Sequence, residues 1–143
     1  MFHKVIWATD GSDAADESLA TVKDMAADSH AEVVVVHCRE LTMPGKGGGS
    51  FPVHANEEDL QQKIEQQTRE LGDSARLRMA QSMVGGAAHA IAEIAKEEGA
   101  DLIVAGTRGH TPLGGLLVGS VTQRLLHLAP CPVLVVPTDR RAA

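Results

Sequence analysis

The chain has 143 residues, 43% of them apolar but only 2% aromatic, and a formal charge of −6. That length fits one domain with a sizeable core, built from Val, Ile, Leu, Ala and Met. An acidic balance with no basic block argues against a nucleic-acid surface, and no apolar run reaches the ~20 residues of a membrane span. The start, Met1-Phe2-His3-Lys4, leads directly into an apolar run without a signal-peptide layout, so a cytoplasmic location is expected.

Val5-Ile6-Trp7-Ala8 reads as a short buried strand. It ends at Thr9-Asp10-Gly11-Ser12, where Gly11 permits a sharp turn and Ser12 is a good N-cap. Asp13, Asp16 and Glu17 then suit the positive end of a helix to about Ala27. Its apolar side holds Leu19, Val22, Met25 and Ala26. By local sequence Asp10 reads first as a turn or capping aspartate. The alternative places it at the carboxyl end of a central parallel strand, where open α/β sheets bind ligands. A carboxylate there accepts from a ribose or holds a magnesium-bound water.

Glu32 to Cys38 is a β-branched run, apolar at four consecutive positions, and predicts an interior parallel strand. His37 reads as a partly buried strand-end histidine. A metal site lacks support, because no paired Cys/His spacing is present. The two cysteines, Cys38 and Cys131, form no framework, and opposite ends of the sheet are expected for them. Leu41 to Asn56, rich in Gly and Pro, predicts a long irregular connection at the Asp10 edge: either a lid or a surface loop.

A helix follows from Glu57 to about Asp73, with Leu60, Ile64, Gln67 and Leu71 as its stripe. Leu77 to Val84 alternates and predicts a half-exposed edge strand. Gly85-Gly86 turns into a helix from about Ala87 to Glu98, with His89 at its surface and Gly99 as C-cap. Asp101 to Ala105 is the next strand.

The stretch Gly106 to Thr122 then combines a glycine-rich loop with a helix start at Gly119-Ser120. Glycines let backbone N–H groups turn toward an anion, and the first N–H groups of a helix lack internal partners. Ser120 and Thr122 add hydroxyls, and Arg108 adds a positive charge. Neither the Walker A pattern nor Gly-x-Gly-x-x-Gly is present. A loop that merely closes an α/β unit is the plainer alternative. His110 reads as an exposed loop histidine rather than a general base. The helix runs to Leu128 before Pro130, and Cys131 to Pro137 forms the last strand. Val133, Leu134, Val135 and Val136 are apolar on both faces of that edge strand. Such an edge needs cover, so pairing with a second copy is expected.

The spacing Gly106-x2-Gly109-x9-Gly119-Ser120 resembles the nucleotide-binding signature of the universal stress protein family. Ala8-Thr9-Asp10-Gly11-Ser12 and Cys131-Pro132-Val133-Leu134-Val135-Val136 extend the resemblance over residues 1–143 as a single domain. It implies a three-layer α/β fold of the Rossmann-like, adenine nucleotide α-hydrolase-like type. The open parallel five-stranded sheet has the order 3-2-1-4-5, with helices on both faces, and the last strand often dimerises. It also implies a nucleotide site at Ala8, Thr9, Asp10, Gly11, Cys38, Val84, Gly106, Arg108, Gly109, Gly119, Ser120, Val121 and Thr122. Asp10 would meet ribose, adenine or magnesium, the backbone near Cys38 adenine, and Val84 a pocket wall. The expected function is an ATP-binding stress-response regulator acting as a homodimer, with magnesium carried by the nucleotide. Cyclic AMP binding is one alternative. Slow ATPase or phosphotransferase chemistry is another, although no residue has a forced catalytic role. A related α/β group of ATP pyrophosphatases is set aside, since Thr9-Asp10-Gly11-Ser12-Asp13 lacks its Ser-Gly-Gly-x-Asp-Ser motif.

Overall fold

The computed structural model describes residues 1–42, 56–107 and 119–137, together with the backbone of Phe51 and Pro52. The first strand, β1 (Lys4–Ala8), is buried on both faces, with Val5 and Trp7 packing to one side and Ile6 and Ala8 to the other. Helix α1 (Asp13–Ser29) starts at Ser12, whose hydroxyl accepts from the Ala15 amide at 3.2 Å. Its inner face meets Trp7, whose indole N–H donates to Ser18 Oγ at 2.7 Å. That bond satisfies the one polar atom a buried Trp carries.

Strand β2 (Glu32–Thr42) runs past the predicted end at Cys38. Two-residue β3 (Phe51–Pro52) pairs antiparallel with its end, Leu41 opposite Pro52 and Thr42 opposite Phe51. The expectation of an irregular connection from Leu41 is therefore corrected at four residues: Leu41 and Thr42 are strand, and so are Phe51 and Pro52. The physical reason is the partner strand. Arg39, Glu40 and Leu41 find Gln81, Ser82 and Met83 alongside, and this ladder outweighs the lack of an apolar run. The reading of the loop as a lid lies mostly outside the described residues.

Helix α2 (Glu57–Glu70) is shorter than predicted and gives way at Gly72, with φ +96°, to β4 (Ala75–Met83). Helix α3 (Ala87–Glu98) has the predicted bounds, and Gly99 caps it at φ +65°. Strand β5 (Leu102–Gly106), helix α4 (Ser120–Leu128) and strand β6 (Val133–Val136) complete the elements among the described residues.

The five parallel strands lie in the order β4-β2-β1-β5-β6, which is 3-2-1-4-5 when only parallel strands are counted. Val5, Trp7, Val33, Val35, Leu102 and Val104 pack against Leu19 and Val22 of α1 and Ile64 of α2. Ile6, Ala8, Val34, Val36, Ile103 and Ala105 pack against Ile91, Ala92 and Ala95 of α3 and Leu125 of α4. Continuous apolar strands thus serve two helical layers, as buried parallel sheets require. Cys38 and Cys131 are both free, and burial pushes each thiol above its ordinary range.

Candidate functional site

Strand order reverses between β1 and β5, and the helices that follow them, α1 and α4, lie on opposite faces, the arrangement at which open α/β sheets form a crevice. Asp10 stands at the end of β1, and Thr107 at the end of β5. Thr9 extends the ladder through its amide to the Val36 carbonyl at 3.0 Å. Its hydroxyl accepts from the Gly11 amide at 3.1 Å, and Asp10 Oδ1 accepts from the Ser12 amide at 3.0 Å. These short-range bonds form the turn into α1, the job that local sequence gives such residues. One carboxylate oxygen is thus used in the turn. Gly11 has φ +78°, and a Cβ there would lie 2.7 Å from Leu60 Cδ2. Glycine is demanded by the conformation, since the crowded atom is the tip of a side chain that can shift.

On the β5 side Gly106 is also required by close approach. A Cβ on it would sit 2.8 Å from the Ala14 carbonyl oxygen in the first turn of α1. Sequence reasoning gave this glycine to an anion cradle, whereas the described geometry uses its small size to seat α1 against β5. Thr122 is buried, and its hydroxyl donates to the Gly106 carbonyl at 2.8 Å. Its proton therefore fastens α4 to β5. The Gly119 amide donates to the Thr107 carbonyl at 2.5 Å, which brings the start of α4 to the end of β5. No side chain caps this helix at Gly119, and Ser120 is exposed. The first N–H groups of α4, at Ser120, Val121 and Thr122, face the end where helix polarity concentrates positive charge.

Strands β2 and β4 continue beyond the level where β1 stops and form a wall on one side of the crevice. Cys38 lies in this wall opposite Ala80, with its Sγ 3.3 Å from Ser82 Oγ. Val84, exposed, follows the last paired residue, Met83, and so stands farther along the wall than Cys38. The turn after it is held by Glu40, which accepts from the Gly85 amide at 3.0 Å, and by Arg124 of α4, which donates to the Gly85 carbonyl at 2.6 Å.

The structure thus brings Ala8, Thr9, Asp10, Gly11, Gly106, Gly119, Ser120, Val121 and Thr122 to one edge. Cys38 and Val84 flank it. Arg108, Gly109 and His110 lie outside the described residues. The described residues contain no cluster of three His, Cys, Asp or Glu side chains arranged to hold a metal.

Sequence reasoning missed the buried pair behind Thr9. His37 is 1% exposed, not partly buried. Its Nδ1 lies 3.0 Å from the Thr9 carbonyl, and its Nε2 lies 2.5 Å from Oε1 of buried Glu57. A signal existed in the sequence. His37 shares strand parity with Val33 and Val35, so its side chain enters the same core, where an imidazole needs partners. Its partner's identity depended on where α2 begins, twenty positions on.

The fold is that of an open, doubly wound α/β protein whose switch point lies between β1 and β5. The model of the universal stress protein family matches residues 1–137, and the chain belongs to that family. A universal stress protein of Thermus aquaticus is 36% identical over 141 residues, covering 95% of this chain and 99% of that protein. Universal stress protein MJ0531 of Methanocaldococcus jannaschii is 31% identical over 148 residues, covering 99% and 85%. The solved structure of protein MJ0577 superposes with a TM-score of 0.78 at 25% identity, covering 98% of this chain and 99% of that one. A universal stress protein solved in complex with cAMP shares the fold, with a TM-score of 0.67 at 24% identity and coverage of 94% and 96%.

Proposed function

We propose that this chain is an adenine-nucleotide-binding regulatory protein, with ATP as its ligand, that works as a dimer. The observation that carries the reading is the start of α4, held to the end of β5 by the Gly119–Thr107 bond, on the strand next to the one that ends at the Asp10 turn. Main-chain N–H groups at a helix start are suited to phosphate, and the adjacent carboxylate is suited to ribose hydroxyls. The backbone at Cys38 would take the adenine edge, with the β2–β4 wall beside it. Arg108 and Gly109 would complete the phosphate contacts, and Val84 would close the outer end of the pocket. Magnesium would arrive with the nucleotide and share Asp10, rather than occupy a protein-built cage. No side chain is assigned to catalysis. Slow hydrolysis of bound ATP is the most this set of groups supports, because phosphoryl transfer needs a positioned nucleophile and charge stabilisation.

The dimer would form through β6. Leu134 of that edge strand is exposed, and Leu126 and Leu128 of neighbouring α4 are exposed as well. An apolar edge strand in this state pairs or aggregates unless covered.

The test begins with nucleotide released from denatured, freshly purified protein and identified by mass spectrometry. Calorimetric titration of the emptied protein follows, with ATP and with cyclic AMP, each with and without magnesium. Retained or tightly bound ATP is the expected result. Preference for cyclic AMP would replace ATP regulation with second-messenger binding, and binding of neither would overturn the reading.

A further inference from the structure

We infer that helix α2 positions the Asp10 turn, and that the buried His37–Glu57 pair is the link through which it does so. Three attachments connect the helix to this turn. Glu57, the first residue of α2, engages His37 Nε2, and His37 Nδ1 engages the Thr9 carbonyl. Lys63, almost two turns on, donates to the Gly11 carbonyl at 2.8 Å and to Asp16 Oδ2 at 2.6 Å. Leu60, between them, packs against the face of Gly11 that has no Cβ. Thr9 and Gly11 are therefore held from outside their own loop, and Asp10 is the residue between them.

The hydrogen-bond chemistry of the link has one solution. A carbonyl oxygen only accepts, so His37 Nδ1 carries a proton and donates to Thr9. One further proton lies between Nε2 and Oε1, since two bare acceptors do not approach to 2.5 Å. The pair is sealed from water, with side chains 2% and 9% exposed. Truncating Glu57 leaves the imidazole Nε2 buried without a partner, and the ring then gains by turning away from Thr9. The consequence falls on the Thr9-Asp10-Gly11 turn rather than on the sheet. The ladders of β1 are closed independently by β2 and β5.

The effect on nucleotide affinity rests on the function proposed above, whereas the effect on the turn does not. Amide hydrogen exchange in the ligand-free protein reads the turn directly. Gly11 and Ser12 amides are protected there by Thr9 Oγ1 and Asp10 Oδ1. In Glu57→Ala their exchange is expected to accelerate about tenfold, the scale of one lost buried hydrogen bond. Ile6 and Trp7 amides should be unchanged. ATP affinity should fall by a similar factor. Glu57→Gln should restore both, because its amide N–H donates to Nε2 while Nδ1 keeps its proton for Thr9. Unchanged exchange at Gly11 and Ser12 in Glu57→Ala would overturn the inference. So would a uniform acceleration across the sheet, the mark of a merely structural pair. If Glu57→Ala does not fold, Lys63→Met removes the second attachment and gives the same contrast. A wild-type protein that binds no nucleotide would sink the proposed function, yet the exchange contrast would still decide the role of the pair.

Discussion

Gly106 and Gly99 are both glycines at the end of an element, but the structure demands them for different reasons, and two substitutions separate those reasons. At Gly106 the constraint is space. The nearest atom to an added Cβ is the Ala14 carbonyl oxygen at 2.8 Å, where ordinary contact begins at 3.4 Å. The obstacle is backbone, in the first turn of α1, so no side chain can swing aside. Relief requires α1 to back away from β5. Overpacking of this kind costs about 1–3 kcal/mol. A more restricted unfolded chain offsets about 0.4–1 kcal/mol of that cost. Gly106→Ala should therefore lower the melting temperature by several degrees, on the order of 3–8 °C for a chain of this length. At Gly99 the constraint is conformation. Its φ is +65°, and nothing lies within 4 Å of an added Cβ. Gly99→Ala should cost about 1 kcal/mol, and Gly99→Asn should recover most of that, since Asn tolerates the left-handed region. Gly106→Asn should be worse than Gly106→Ala. Urea unfolding followed by far-ultraviolet circular dichroism measures all four variants at constant slope. Equal stability of Gly106→Ala and wild type would refute the close α1–β5 contact. Rescue of Gly106 by Asn would refute the assignment of the two glycines to different causes.

Gly119 has φ −57° and ψ 155°, a backbone that Val adopts, so Gly119→Val should fold normally while losing nucleotide binding in a calorimetric titration. Unchanged affinity in the folded variant would remove the start of α4 from the site. Leu134 is the most exposed residue of β6, and Leu134→Asp should convert a sedimenting dimer to monomer without loss of fold; a persisting dimer would move the interface elsewhere. At the amino edge of the sheet, the Arg76 guanidinium holds the Glu98 carboxyl down at about 2, against the opposing effect of burial and with help from Arg78. A carboxyl lowered on folding stabilises above its unfolded value of about 4.3 and loses that contribution as pH falls toward 2. Both arginines are partly exposed, so solvent screening limits the gain to about 1 kcal/mol. Glu98→Gln should therefore be less stable than wild type at pH 7 and equal to it near pH 2. A difference that persists at the lower pH would contradict the ion-pair account.

The elements legible in the sequence were those whose signals are local. Helix α3 has alanines and isoleucines at helical spacing and a glycine where the chain must turn left-handed, so both ends could be read. Strands β1 and β5 are short apolar runs with turn residues after them. The Asp10 turn and the start of α4 were expected at the ends of neighbouring strands, and the sheet order puts them there. The extension of β2 from Arg39 to Thr42 was not legible. Its pattern of charged and polar residues resembles a loop, and only the register with Gln81, Ser82 and Met83 makes it a strand. The His37–Glu57 pair was hidden for the same reason, as its members meet only after α2 docks on the sheet. Thr122 was assigned a donor for ligand, yet its proton goes to the Gly106 carbonyl. A hydroxyl's partner is a matter of distances that spacing along the chain does not determine.

The distribution of these constraints explains how relatives only 31–36% identical over nearly the whole chain remain in one family. The two cores use aliphatic side chains, for which exchanges that conserve volume cost little. The candidate crevice relies largely on backbone: amides at the start of α4, the Thr9 and Gly11 carbonyls, and glycines placed where a Cβ has no room. A site of that kind survives extensive side-chain substitution provided the elements keep their positions. Position is enforced by a few long-range attachments, and these cluster around the switch point: Gly106 against Ala14, Thr122 on Gly106, and His37 between Thr9 and Glu57. Substitution at these residues should therefore disturb the crevice more than equal changes in side-chain volume elsewhere in the two cores. They join both helical layers to the sheet at the edge where the strand order reverses.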